Sequence, residues 1–193
     1  MATQEERRAA TRTAIIEAAR ELFGAASFDD TTMDDIAKQA GVAKGAGYHH
    51  YKHKRDVFEA VFASVSANLV ATMLSKAEAN DDAVATLMHS MKLFFDLCAQ
   101  PQVSRILLQD GPAVLGHADW HRIDARHFGG LVTSALNGAM EVGAVRQQPL
   151  APLSRIILSA IQAAAIDCAA QDDFDSAAKD YLIIFEGLLN GRK

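Results

Sequence analysis

"GVAKGAGYHHYKHKRD", residues 41–56, sets three glycines, three histidines and four cations within sixteen positions, and three readings compete for it. A phosphate loop would use Gly41, Gly45 and Gly47. Such a loop needs Lys and then Ser or Thr after its last glycine, and Tyr48 and His49 follow here. A dinucleotide-binding turn needs a strand before it, and the pattern supplies none. A metal site would use His49, His50 and His53, but a zinc-hydrolase helix needs Glu beside its first His. This stretch offers His50 instead, with no cysteine near. The third reading is a surface for nucleic acid, and the flanking sequence favours it.

Upstream, Met33, Ile36, Ala37 and Ala40 form a short apolar stripe at helical spacing. Thr32 with Asp35 three residues later matches a capping box, so a helix is expected to start there and to stop at Gly41. A third short helix is expected over about 43–50, and a fourth from near Arg55. Two short helices joined by a tight turn have the dimensions of a helix-turn-helix, whose second helix enters a DNA major groove. Ala37 is small enough to let the second helix pack closely, and Val42 would plug the turn into the core. The charge agrees. The chain carries a net −5, but residues 38–55 hold five Lys/Arg and no acid, whereas 56–193 hold 10 basic against 16 acidic residues. The acid-free run would supply phosphate contacts, and Tyr48, His49 and His50 can donate to phosphate oxygens or base edges. A merely solvated basic surface explains the charge, but not the cap, the turn and the small residue arriving together.

The 193 residues, half of them apolar, are enough for one domain or for two small ones sharing a core. Period-3.6 patterning dominates and no strand pair emerges, so the expected class is all-α with about nine helices. A first helix is expected over about 8–24 on Ile15, Ala19, Leu22 and Phe23. The long fourth carries Phe58, Val61, Phe62, Val65 and Leu69. Another long helix should run from Trp120 and end near Gly143, and Pro152 suits a first helical turn. "DGPAVLGHAD", residues 110–119, is expected to be irregular. Cys98 and Cys168 sit in apolar contexts without a secretory leader, which reads as a reduced, cytoplasmic chain. Charged or polar residues interrupt every apolar stretch, so no run is expected to reach the roughly 18 residues of a membrane span, and no membrane partner is expected.

"LFGAASFDDTTMDDIAKQAGVAKGAGYHHYKHKRDVF", residues 22–58, resembles the signature of the TetR family of transcriptional regulators. Leu22-Phe23, Thr31-Thr32, Ile36-Ala37, Ala40-Gly41-Val42, Gly45, Tyr48, His50-Tyr51, Lys54 and Val57 stand where that pattern places them, and the likeness covers roughly residues 8–60. It implies a three-helix DNA-binding domain over 1–54 and a helical effector-binding and dimerisation domain over 55–193. For the latter only helix count and general layout agree. Residue by residue, the resemblance implies that Thr32, Tyr48, His50 and Lys54 hold DNA phosphates, that Lys44, Ala46 and His49 face the bases, and that Tyr51 belongs to the core. This sequence departs from the pattern in places. Gly47 replaces the usual Leu or Ile, and with Gly45 it costs the reading helix roughly 1 kcal/mol per glycine relative to alanine. Ala46 replaces a common Thr and leaves a methyl that can touch thymine. His53 and Ser27 also differ from the usual residues. Asp29, Asp30, Asp34 and Asp35 flank the start of the second helix, where they complement its dipole better than they would hold a metal.

In the second domain the resemblance implies an effector chamber, with Phe62, Phe94, Phe95, Leu107, Trp120 and Phe128 as candidate lining and His121 as a polar contact. Such walls suit a small apolar or aromatic effector. On the last two helices, Ala164 and Ala165 permit close approach, while Ile157, Ile161, Tyr181, Ile184, Phe185 and Leu188 offer apolar area for a homodimer. A two-fold dimer calls for a near-palindromic operator in double-stranded DNA. Catalysis finds no support: Cys98 has no His at local helical spacing, no Gly-x-Ser-x-Gly elbow occurs, and "QDDFDS" lacks the glycine and final glutamate of a calcium loop. The expectation is therefore a dimeric, ligand-responsive repressor with no cofactor, no metal and no enzymatic activity. Its alternatives are a regulator-like helical protein without specific DNA binding and a small all-helical enzyme.

Overall fold

The computed structural model describes residues 3–77 and 82–190, and among these the secondary structure is helical throughout, with no strand. The helices are α1 (Gln4–Ala25), α2 (Met33–Gln39), α3 (Lys44–His50), α4 (Lys54–Ser75), α5 (Ala83–Cys98), α6 (Pro101–Ser104), α7 (Gly111–Leu115), α8 (His117–Glu141), α9 (Leu150–Ala169) and α10 (Phe174–Asn190). A π-helical segment, Arg105–Asp110, joins α6 to α7 without a break. With that run counted as one element, the described residues hold nine helices.

The chain packs as two compact units, one from residues 1–65 with 101–120 and the other from 66–100 with 121–193. The resemblance implies a boundary at 54/55. By packing, the start of α4 and the whole 101–120 stretch belong with the first unit. There Ile15, Ala19, Phe23, Ile36, Val57, Phe58 and Ile106 are buried. Phe58 meets the rings of Phe23 and Phe28 edge-on, each at 5.3 Å. The loop between α1 and α2 is tied down at its backbone. Phe28 N–H donates to Asp110 (2.8 Å), and Arg105 donates to the Ala26 carbonyl (2.7 Å).

Residues 110–119 are not irregular as expected: they are helical except at Gly116, which sits at φ +76° and ends α7. The run holds its close packing through small residues. A Cβ at Gly111 would come within 2.8 Å of the Phe62 ring. Arg55 closes the break, donating to the Leu115 carbonyl (2.9 Å) and pairing with Asp119 (2.6 Å).

In the second unit, α5 packs on α10 and α9, and α9 packs on α10. Phe94 lies edge-on to Phe128 at 5.5 Å, and Leu87, Ala139, Met140 and Val145 form a further buried cluster. Cys98 and Cys168 are buried and free. One sequence expectation needs correcting. The helices Lys54–Ser75 and Leu150–Ala169 are long and apolar enough to cross a membrane by length and composition alone. Their few polar residues are spaced too widely to break the average. Part of their apolar surface lies inside the fold, where Val57, Phe58, Val61, Phe62, Val65, Leu69, Leu158 and Ile161 are buried.

Candidate functional site

The α2–turn–α3 segment follows from local chemistry. Thr32 and Asp35 complete a reciprocal capping box at the start of α2. At its end, Gly41 adopts φ +66°, and two bonds close the helix: Gly41 N–H to the Lys38 carbonyl (3.2 Å) and Val42 N–H to the Ala37 carbonyl (3.0 Å). That is a Schellman ending, and it needs a residue at ease in the left-handed region. Val42 is half-buried beneath the turn. Helix α3 then begins at Ala43 with no side-chain cap. Its inner face is Gly47, which lies so that a Cβ there would meet the Ala37 methyl at 3.7 Å, an ordinary contact.

The outer face of α3 carries Lys44, Gly45, Tyr48 and His49, all exposed, with Ala46 and His50 partly covered at its margins. Lys44 Nζ pairs with Asp34 Oδ2 at 2.6 Å, and that carboxylate raises the lysine pKa. Both partners are solvated, so the pair is weak and exchangeable. For His50, burial first and then Arg8, His49 and Arg12 hold the imidazole below its ordinary pKa. Thr32 is exposed at the helix cap, and its hydroxyl and backbone N–H hold Asp35 below the usual carboxylate range.

Lys54 stands apart from the other cations. Its ammonium donates to the carbonyls of Phe28 (2.6 Å) and Thr31 (2.8 Å) and lies 4.1 Å from the Phe28 ring centroid. Two of its three donors are thus committed to the loop that leads into α2. Tyr51 is buried, and its hydroxyl accepts from Arg12 Nε at 3.0 Å. Among the described residues no three His, Cys, Asp or Glu side chains lie together as a metal site would require.

The second unit holds a partly open cavity of about 140 Å³. Phe94 and Phe128 line it, as do Met73, Met91, Leu131 and Ile161. The other candidate lining residues lie elsewhere. Phe62 is seated against Gly111, and the Trp120 indole donates to the Leu107 carbonyl at 3.2 Å, all within the first unit. Phe95 faces Phe174, and His121 is partly exposed. Sequence reasoning missed Asp124, which also lines the cavity, and its partner Gln162. A signal was there: Asp124 stands four residues from both Trp120 and Phe128 on the apolar stripe of α8. Gln162 likewise interrupts the stripe of Leu158, Ile161 and Ala165 on α9.

The candidate dimer residues divide into two sets. Ile161, Ala164, Ala165 and Phe185 are buried within the protomer, because these sides of α9 and α10 pack into their own unit. Ile157 is half-buried on the cavity, and the partly exposed Tyr181 donates its hydroxyl to Asp167 at 2.9 Å. Ile184 and Leu188 are exposed, joined by two that sequence reasoning left out, Ile156 and Ile183. Burial pushes the Cys98 thiol well above its ordinary pKa, which leaves it unreactive.

Residues 15–61 match the profile of bacterial regulatory proteins of the tetR family, and residues 84–192 that of the tetracyclin repressor-like C-terminal domain. The regulator SrpR of Pseudomonas putida is 50% identical over 54 residues, 28% of this chain and 25% of SrpR. The match therefore spans a quarter of that relative's length. A TetR-family transcriptional regulator from Pectobacterium atrosepticum shares the fold with a TM-score of 0.85 at 24% identity, over 98% of this chain and 97% of that one. RolR, in a complex with resorcinol, shares it with a TM-score of 0.77 at 17% identity over 98% and 97%. With one profile on the helix-turn-helix and the other on more than half of the chain, this protein belongs to the TetR family, a family of regulators and not of enzymes.

Proposed function

We propose that this chain is a homodimeric transcriptional repressor that binds a near-palindromic double-stranded DNA site and is released by a small apolar or aromatic effector. The observation that carries the reading is the exposed face of α3, which follows a capped α2 and a Schellman turn and lies within an acid-free run of five cations. On DNA, Lys44 exchanges Asp34 for the major groove and reaches the bases with His49 and the Ala46 methyl. Tyr48, His50 and Thr32 hold phosphates. Lys54 has one donor left for a phosphate and otherwise fixes the loop that positions α2. A regulator of this kind works in the cytoplasm, where chromosomal DNA is reached directly.

The cavity in the second unit is the effector site in this reading, and the resorcinol bound to RolR supports a small aromatic occupant. Release follows from linkage: an effector weakens DNA binding by as much as its affinity differs between the two conformations. Helix α4 is the proposed lever, since one continuous helix begins at Lys54 and carries Met73 of the cavity wall.

The test is selection of the purified protein against random double-stranded DNA, followed by a salt titration on the enriched sequence. A short near-palindromic motif is expected, with Lys44→Ala weakening binding and relaxing the base preference beneath it, Tyr48→Phe weakening binding, and Lys54→Ala lowering the salt slope by about one. No enrichment from a folded dimer would overturn the reading.

A further inference from the structure

Asp124 is a carboxylate on an apolar cavity wall, and it is only 7% exposed. Its one hydrogen bond comes from Gln162 Nε2 to Oδ2, which leaves Oδ1 as an unused acceptor. Burial has the effect expected of such a place and raises its pKa to about 6, against the opposing pull of Gln162. The other polar side chain on the wall is Ser90, whose hydroxyl is already spent as a donor on the Thr86 carbonyl at 3.0 Å. It too can only accept. Beside them, Gln162 Oε1 is buried with no partner. Among the described residues that line the cavity, the polar atoms left to a ligand, Asp124 Oδ1 and the Ser90 oxygen, are acceptors, set among Phe, Met, Leu and Ile side chains.

Resting on the effector reading above, the geometry points to a one-ring aromatic ligand that carries a hydroxyl, with its O–H donated to Asp124 Oδ1 and its ring packed against the edge-on pair of Phe94 and Phe128. Size supports the first half. A dry apolar cavity of about 150 Å³ holds one benzene ring, and this cavity is about 140 Å³. Asp124 supplies the second half, because a ligand that covers its Oδ1 without bringing a donor leaves that oxygen unpaired. A hydroxyl fits better than an ammonium. The latter brings three donors to a described wall whose free acceptor atoms are two, Asp124 Oδ1 and the Ser90 oxygen, so one N–H is left in apolar surroundings. Asp124 thus selects by a polar contact among ring compounds that the apolar wall alone would accept alike.

The experiment is calorimetric titration of the DNA-free dimer with phenol, toluene and benzylamine, on the wild type, Asp124→Asn and Asp124→Leu. Phenol is expected to bind the wild type at least tenfold more tightly than toluene or benzylamine. Asp124→Leu should abolish or reverse the preference for phenol over toluene while toluene still binds. Asp124→Asn keeps an acceptor for Gln162 and guards against a folding defect, and it should retain part of the preference. Equal binding of phenol and toluene by the wild type would overturn the role of Asp124 but leave the cavity as the effector site. Tightest binding of benzylamine would overturn the hydroxyl. If none of the three binds to folded protein, both the inference and the cavity as effector site fall.

Discussion

Two lysines ten residues apart do different work. Lys44 lies in solvent against Asp34, whereas Lys54 is half-buried with its charge on two backbone carbonyls and a phenyl ring. Charge-assisted bonds of that kind are stronger than an exposed ion pair, so Lys54→Ala would disturb the loop before α2 as well as any phosphate contact. Asp124 is the costlier charge. Its native pKa of about 6 stands above the roughly 3.9 of an unfolded aspartate, so between those values the folded chain holds the proton more tightly. The contribution to stability is then fully present below about pH 4 and is lost as pH rises through about 6. Asp124→Asn has no proton to lose. Its stability relative to wild type should rise by about 2–3 kcal/mol between pH 4 and pH 7.5, read from paired urea denaturations at the two pH values. A difference independent of pH would mean that Asp124 is solvated in the native state.

At the scale of the element, the reading pair mixes one firmly specified helix with one poorly specified helix. Helix α2 has a capping box and a Schellman ending, but α3 has no side-chain cap and two glycines in seven residues. The turn and the helix should answer oppositely to the same substitution. Gly41→Ala forces a Cβ into φ +66° and should cost about 1–2 kcal/mol. Gly45→Ala meets nothing within 4 Å, Gly47→Ala meets only the Ala37 methyl at 3.7 Å, and each should gain about 0.5–1 kcal/mol. Chemical denaturation checks all three, and a loss at Gly45 would show that α3 is not helical in the free protein. This pair was legible in the sequence because its signals are local: a cap, a glycine and a stripe act within a few residues. The 110–119 stretch misleads for the same reason. Its Gly and Pro look like loop punctuation, while its helix depends on distant contacts, Gly111 against Phe62 and Arg55 on the Leu115 carbonyl. The cavity is likewise non-local. Aromatic content named Phe94 and Phe128 together with Phe62 and Trp120, and only the tertiary fold separates those that line space from those that fill it.

For the whole molecule, the net charge of −5 opposes association with a polyanion, so DNA binding has to come from the placement of charge and from the number of reading heads. One head offers a short basic run, and in the proposed dimer two heads act together, because the second then binds intramolecularly. The exposed apolar residues of α9 and α10 suit that role. Ile156, Ile183, Ile184 and Leu188 are each more than half exposed in the protomer, on helices that pack side by side. Because they are so exposed, Ile184→Asp with Leu188→Asp should leave the helical content and unfolding cooperativity of the subunit in place. Sedimentation equilibrium should nevertheless find a monomer. On the enriched palindrome its affinity should fall by roughly a hundredfold or more, and the salt slope should drop to about half, since one set of phosphate contacts is lost. A half-site should bind the variant and the wild type alike. If the monomeric variant kept the full slope and affinity on the palindrome, a single head would be making all the contacts and the two-fold operator would be wrong. If the doubly charged variant stayed dimeric, the interface would lie on another face of the chain.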